Sequence, residues 1–280
     1  MRNLLPALIV ALLALPASAT YSVIAVDRAT GRVAMAMASC VDADTDHMAK
    51  DITAVILPGV GVAACQAGAD RTFKNQRFIF DELKKGTEPS AILEKIAHDD
   101  PDFQSRQFGI VDMKGRMSSH TGLSNSPVAQ VVQGQVPGTQ IFYSVEANTM
   151  RPGKVVPNAA AAFVNAQGAL TDRVMAAMDA ADGSGGDSRC SCPAWPTDGS
   201  KPAIPCTNRS ALFAYIVMAD PKDPNGDSFN NGQYSLFLSV LQPGAEHGPN
   251  QIKAGEDLNP EKTLRMRYDD WRRQQSGGYK

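Results

Sequence analysis

From residue 20 onward the chain alternates in a way that predicts strands first. Thr20-Tyr-Ser-Val-Ile-Ala-Val, over residues 20–26, carries no charge until Asp27. Thr30-Gly31 reads as a turn into a second apolar run over 32–39, and runs of this length bounded by turn residues are strand signals. An acidic stretch follows, then two further strands over 52–57 and 60–66, joined at Pro58-Gly59. The period then changes. Phe73, Arg77, Phe80 and Leu83 recur at helical intervals over 73–85, Gly86 ends that helix, and Pro89 opens another with Ile92, Leu93 and Ile96 on one face. A hairpin over 108–112 and 116–120 turns at Lys114-Gly115, strands follow over 128–133 and 141–145, and helices over 159–165 and 170–181. Paired strands over 211–218 and 234–241 and a polar helix over 260–273 complete the pattern. This order predicts one α+β domain over 20–280, a sandwich of packed sheets with helices on both outer faces.

Residues 1–19 follow a different rule. Arg2 precedes an apolar run over 4–15 that ends at Ala17-Ser18-Ala19, the form of a secretory signal with a small-residue cleavage site. The run is too short to span a bilayer comfortably, and no second run of spanning length follows. The expectation is an exported protein, periplasmic or secreted, free of the membrane once cleaved. A net charge of −2 argues against a nucleic-acid partner, which would call for a basic patch.

The five cysteines fit an oxidising compartment. Cys40 and Cys65 end two apolar runs expected to neighbour each other in a sheet, which makes them a candidate pair. Cys190, Cys192 and Cys206 belong to a Pro/Gly-rich loop at about 190–206, where one bridge would close the loop and one thiol would be left over. Cys190-x-Cys192 does not have zinc spacing. The acidic loops Asp42-x-Asp44-x-Asp46 and Asp223-Pro-Asn225-Gly-Asp227 lack the closing acid of a calcium loop and read as solvated turns. Neither a metal nor a cofactor is expected.

The chemistry concentrates at the Ala19–Thr20 junction. Cleavage there would leave Thr20 with a free α-amine beside its own hydroxyl, a nucleophile that carries its own base. An α-amine has a reference pKa of about 7.7–8.0, so it balances the fraction deprotonated against proton-transfer strength near neutral pH. The plainer reading is that Thr20 starts an edge strand after a leader. Ser39 ends the second strand and could lie beside Thr20 to orient the amine, or be an ordinary strand-end serine. His120 is either a substrate contact or a hydrogen-bonded structural histidine. In Gly185-Gly-Asp-Ser-Arg189, Asp187 is read as a carboxylate that positions the α-amine, and Arg189 as its structural partner or a clamp for an anionic substrate group.

Several blocks in order carry a family resemblance. Thr20-Tyr-Ser-Val-Ile-Ala-Val-Asp27 with Thr30-Gly31, Ala38-Ser39, Gly59-Val-Gly61 to Gln66-Ala67, Phe108-Gly-Ile-Val-Asp112, His120-Thr-Gly122 and Gly185 to Arg189 are similar to the domain of unknown function 1028 family. The resemblance implies an N-terminal-nucleophile (Ntn) hydrolase fold, the αββα four-layer sandwich, whose members cleave amide bonds with an N-terminal Thr, Ser or Cys. It implies Asn148 as an oxyanion donor, with a turn-forming asparagine as the equal alternative; Gly61 or the turn near Gln66 could supply backbone N–H groups, and Gln66 is a candidate substrate contact. Two departures stand out: the family's usual Gln-Gly-Asn is Glu146-Ala147-Asn148, and the segment after Ala67 is Gly68-Ala-Asp-Arg-Thr72. The function expected is hydrolysis of a small amide or peptide-like substrate by Thr20, in a chain that can form homo-oligomers. The alternative is a non-catalytic module on the same fold that binds a ligand or an envelope partner.

Overall fold

The computed structural model describes residues 20–41, 46–125, 128–150, 152–191, 209–225, 229–242 and 250–277. Its strands form two antiparallel sheets. The six-stranded sheet has the order β10-β9-β2-β1-β8-β7 and the four-stranded sheet the order β3-β4-β5-β6. In the first, β1 (Thr20–Asp27), β2 (Arg32–Ser39), β7 (Gln130–Gln135), β8 (Ile141–Asn148), β9 (Phe213–Ala219) and β10 (Leu236–Leu241) pair with their neighbours. The second contains β3 (Ala54–Leu57), β4 (Gly61–Ala67), β5 (Arg106–Asp112) and β6 (Met117–Thr121).

Three apolar layers hold four structural layers together. On β1 the alternation is complete: Tyr21, Val23 and Ala25 face one way, while Ile24 and Val26 face the other. The first set, with Ala34, Ala36 and Ala38 of β2, packs against helices α4 (Val155–Asn165), α5 (Leu170–Gly183) and α6 (Pro260–Gly277). The alanine row of β2 lets α5 approach the sheet closely. The second set meets Ile56, Val62, Ala64 and Val111 between the sheets. On the far side, Val55, Leu57, Cys65, Phe108 and Ile110 pack against α2 (Lys74–Lys85) and α3 (Pro89–Asp99). The result is a mixed α+β sandwich layered α, β, β, α. Among the described residues no helix is long and apolar enough to cross a membrane.

Three local expectations are corrected. The strand expected over 52–57 is split: α1 (Asp46–Thr53) comes first and β3 begins only at Ala54. The Thr53 hydroxyl donates to the Ala49 carbonyl at 2.6 Å and the buried Lys50 amine to the Asn230 carbonyl at 2.6 Å, so this polar stretch gains as a helix what a strand would not give it. Strand β8 runs to Asn148, three residues past its expected end. Helix α6 runs to Gly277, and its polar sequence hides a buried stripe in which Leu264 and Tyr268 close against α5.

The cysteine expectation also changes. Cys40 and Cys65 lie in different sheets and do not pair; Cys40 is bridged to Cys190 with Cα atoms 6.0 Å apart, and Cys65 is a buried free thiol. Cys192 and Cys206 lie outside the described residues, as do residues 1–19, Asp42, Asp44 and Asp227. Asp223 organises a turn, accepting the Asp220 and Ser235 amides at 2.9 and 2.7 Å.

Candidate functional site

Antiparallel register brings three of the sequence-derived residues onto one rung. Thr20 opens β1 and pairs with Ser39 at the end of β2 on one side and with Asn148 at the end of β8 on the other. All three side chains stand on the face between the sheets, and all are buried. Thr20 Oγ1 lies 3.1 Å from Ser39 Oγ. The sharing follows from strand alternation: Thr20, Ser22, Ile24 and Val26 occupy one face of β1. Toward Asp27 this face is apolar, and toward Thr20 it is polar.

The polar end is tied together by amides. Ser22 Oγ donates to Gln66 Oε1 at 2.8 Å, and Gln66 Nε2 donates to Gln107 Oε1 at 2.6 Å. Gln107 Nε2 donates to the Ala147 carbonyl at 3.1 Å and to Thr121 Oγ1 at 3.0 Å. Those two acceptors fix the orientation of Gln107, so its Oε1 must accept, and Asn148 Nδ2 donates to it at 3.1 Å. Asn148 Oδ1 is then left buried without a partner among the described residues. One Nδ2 hydrogen of Asn148 is used by Gln107, and the other has no acceptor among the described residues. Unpaired buried polar atoms cost about 1–3 kcal/mol each, and this end of the interior carries several.

Next to Asn148, on the same face of β8, lies Glu146. It is fully buried, accepts from Ser144 Oγ at 2.9 Å through Oε1, and leaves Oε2 unpartnered. Burial, opposed only by the Ser144 bond, raises its pKa to about 8. Its carboxyl reaches into space that only a glycine leaves open, since a Cβ at Gly109 of β5 would land on it. Glu146 stands in the sequence only as a departure from the family's Gln-Gly-Asn, and Gln107 belongs to no recognisable motif. The further signal of both is a polar residue at an interior position of an otherwise apolar strand.

On the other side of the rung a charged clamp closes over Ser39. Asp187 is fully buried and accepts the Cys40 amide at 2.7 Å. Arg189 donates to it through Nε at 3.2 Å and Nη2 at 2.8 Å, a bidentate pair. The same Nη2 lies 3.5 Å from Ser39 Oγ. Asp187 therefore anchors the loop and Arg189, accepting from the Cys40 amide, the Arg189 amide at 2.9 Å and the Arg189 guanidinium. The Cys40–Cys190 bridge fastens the residues immediately following Ser39 and Arg189.

Strained backbone marks the same end of the sandwich. Ala67 (φ 68°) directly follows Gln66, and Thr149 (φ 55°) directly follows Asn148. A left-handed β-branched residue is rare, and such strain clusters at functional sites.

Two candidates stand elsewhere. Gly61 pairs with Leu57 and Asp112, five residues along β4 from Gln66, at the opposite end of the sandwich from Thr20. His120 pairs with Phe108 and faces the outer helical layer, stacked on Phe103 at 3.6 Å with its Nε2 3.0 Å from the Phe103 carbonyl. Burial holds its pKa below the usual imidazole value. A surface groove of about 490 Å³ between α2 and α3, lined by Lys74, Arg77, Phe78 and Ile96 among others, includes none of the rung residues. Among the described residues no group of three metal-ligating side chains is gathered.

Residues 20–194 match the model of a family of unknown function, DUF1028, and the match starts at Thr20. The crystal structure of SPO2555 from Silicibacter pomeroyi, a protein matched by the same family model, superposes with a TM-score of 0.62 at 19% identity, covering 90% of this chain and 86% of that one. The likeness is one of fold. No curated protein matches the chain.

Proposed function

Because the chain belongs to the DUF1028 family, for which no function is assigned, the site is the guide to activity, and we propose that the protein is an exported amide hydrolase whose nucleophile is Thr20. The observation that carries this reading is the rung itself. Thr20 opens a strand with its hydroxyl 3.1 Å from Ser39 and with Asn148 directly opposite. The αββα layering is the architecture in which Ntn hydrolases hold a chain-terminal nucleophile, and it supports the reading.

Cleavage after Ala19 frees an α-amine on the residue that bears Oγ1. The amine takes the hydroxyl proton as Oγ1 attacks the carbonyl carbon of a small amide or peptide-like substrate. The second Nδ2 hydrogen of Asn148 meets the oxyanion, a contribution whose loss typically lowers the rate by about 10²–10³. The ammonium then gives its proton to the leaving amine as the C–N bond breaks. Water, deprotonated by the same α-amine, hydrolyses the acyl ester and restores Thr20. Ser39 holds Oγ1 during attack, and the Arg189 guanidinium beside Ser39 favours the neutral amine, as a nearby like charge does.

A β-lactone probe tests this directly. The leader-free protein should acquire one acyl group on Thr20, and Thr20→Ala should abolish labelling while retaining the fold. Equal labelling of Thr20→Ala would remove Thr20 from the mechanism and leave a ligand- or envelope-binding module as the better reading.

A further inference from the structure

Glu146 is the buried acid that this mechanism leaves unused. Its position is specific. It sits two residues from Asn148 on the same face of β8 and pairs in register with Ser22, itself two residues from Thr20 on the same face of β1. Two residues of strand rise about 7 Å, a separation at which the Coulomb interaction between unit charges in a protein interior is still well above the thermal energy. The faces packed around Glu146 present Ser22, Gln66, Gln107, Ser144 and Asn148, which are polar but uncharged. The Cys65 thiol, on the outer face of the four-stranded sheet, feels the Glu146 charge through the sheet and is pushed up mainly by its own burial, with Asp70 and Arg106 also acting on it. Among the described residues no lysine or arginine is drawn to the carboxyl and Oε2 has no partner, although Gly109 yields it space.

We infer that Glu146 is a positioning residue of this site, whose carboxylate charge raises the proton affinity of the Thr20 α-amine and so sets the pH window in which Thr20 reacts. The inference rests on the proposed processing to an N-terminal Thr20. The coupling is electrostatic and needs no co-reactant: the carboxylate and the ammonium stabilise each other's charged forms, as opposite charges do. Burial gives Glu146 a proton affinity close to that of an α-amine, with the acid at about 8 and the amine reference at about 7.7–8.0. Two such groups titrate as a pair in two steps. While one proton is shared, the amine is partly held as ammonium and is a poorer base. Full reactivity returns when the second proton leaves.

The test reads the amine without requiring hydrolase activity. Leader-free protein is pulsed with acetic anhydride across pH 5–10, and acetylation of the Thr20 amine is followed by mass spectrometry. Glu146→Gln, which keeps the shape and the bond from Ser144, should lower the midpoint of amine titration by about one pH unit and narrow the transition. β-lactone labelling should shift with it. Glu146→Ala should give the same shift, and a purely structural role would lower the labelling amplitude without moving either midpoint. Unchanged midpoints in both variants would overturn the inference even if Thr20 labels normally. A shifted amine midpoint with no labelling at any pH would instead sink the hydrolase reading and leave the proton pair standing.

Discussion

Asp187 meets the Cys40 amide at 2.7 Å and the Arg189 guanidinium through both oxygens, with no exposure to solvent. Removing one partner of a buried ion pair leaves an uncompensated charge, which costs about 3–5 kcal/mol. Asp187→Ala should therefore lower unfolding free energy by that amount in denaturant titrations, and Asp187→Ala with Arg189→Ala should recover part of it. Glu146 acts in the opposite sense. Its carboxyl pKa is raised from 4.5 to about 8 in the folded protein, so the native state holds a proton the unfolded chain releases. Stability associated with this group is present below pH 4.5 and is lost as pH rises through about 8. Glu146→Gln should remove that slope and be more stable than the wild type at pH 9, by up to about 4 kcal/mol. At this scale the sequence was uneven in what it disclosed. Thr20 declared itself through the junction before it, and Ser39 through its strand end. Asn148 was reached through the family resemblance. Gln66 is legible only as a polar end of its strand, and its link to Ser22 and Gln107 depends on the second sheet packing on the first, which no local pattern encodes.

Elements explain why the strained residues sit where they do. β4 and β8 both end at the polar pole of the interior, β4 on a left-handed residue, Ala67, and β8 with one directly after it, Thr149. Thr149 also buries a hydroxyl without a partner among the described residues. Thr149→Gly relieves both burdens, and should raise stability by about 1 kcal/mol despite the usual entropic cost of glycine. If the strain serves to hold Asn148 in place, β-lactone labelling of the same variant should fall. Gly109 makes the complementary case: Gly109→Ala drives a methyl into the Glu146 carboxyl and should cost about 1–3 kcal/mol, less in a Glu146→Ala background. Element boundaries followed the apolar period closely for β1, β2 and α3. They failed at α1, whose residues 46–53 mix acidic, basic and β-branched side chains and become helical because Lys50 and Thr53 find buried partners on the loop and strands packed against them.

Across the whole molecule, the interior between the sheets grades from Ile24, Val26 and Val62 at one end to Thr20, Gln66, Gln107 and Asn148 at the other. The apolar end holds the sheets together, and the polar end keeps buried groups incompletely satisfied where Thr20 opens β1. Layer order was legible because strand and helix signals alternate in blocks. The disulfide was not, because Cys40 and Cys190 are separated by 150 positions and join through a loop that returns to the end of β2. Closing a loop of that length is worth up to about 5 kcal/mol in the unfolded ensemble. Cys190→Ser should lower thermal stability and, by freeing the Asp187–Arg189 loop from Ser39, also reduce labelling. The central claim is that export and activation are one cleavage. Tandem mass spectrometry of the N-terminal peptide from exported protein treated with a β-lactone tests it most directly. The account predicts a peptide that begins at Thr20 and carries the acyl group on its hydroxyl oxygen. A peptide beginning two or more residues away, or one beginning at Thr20 and left unmodified, would contradict it.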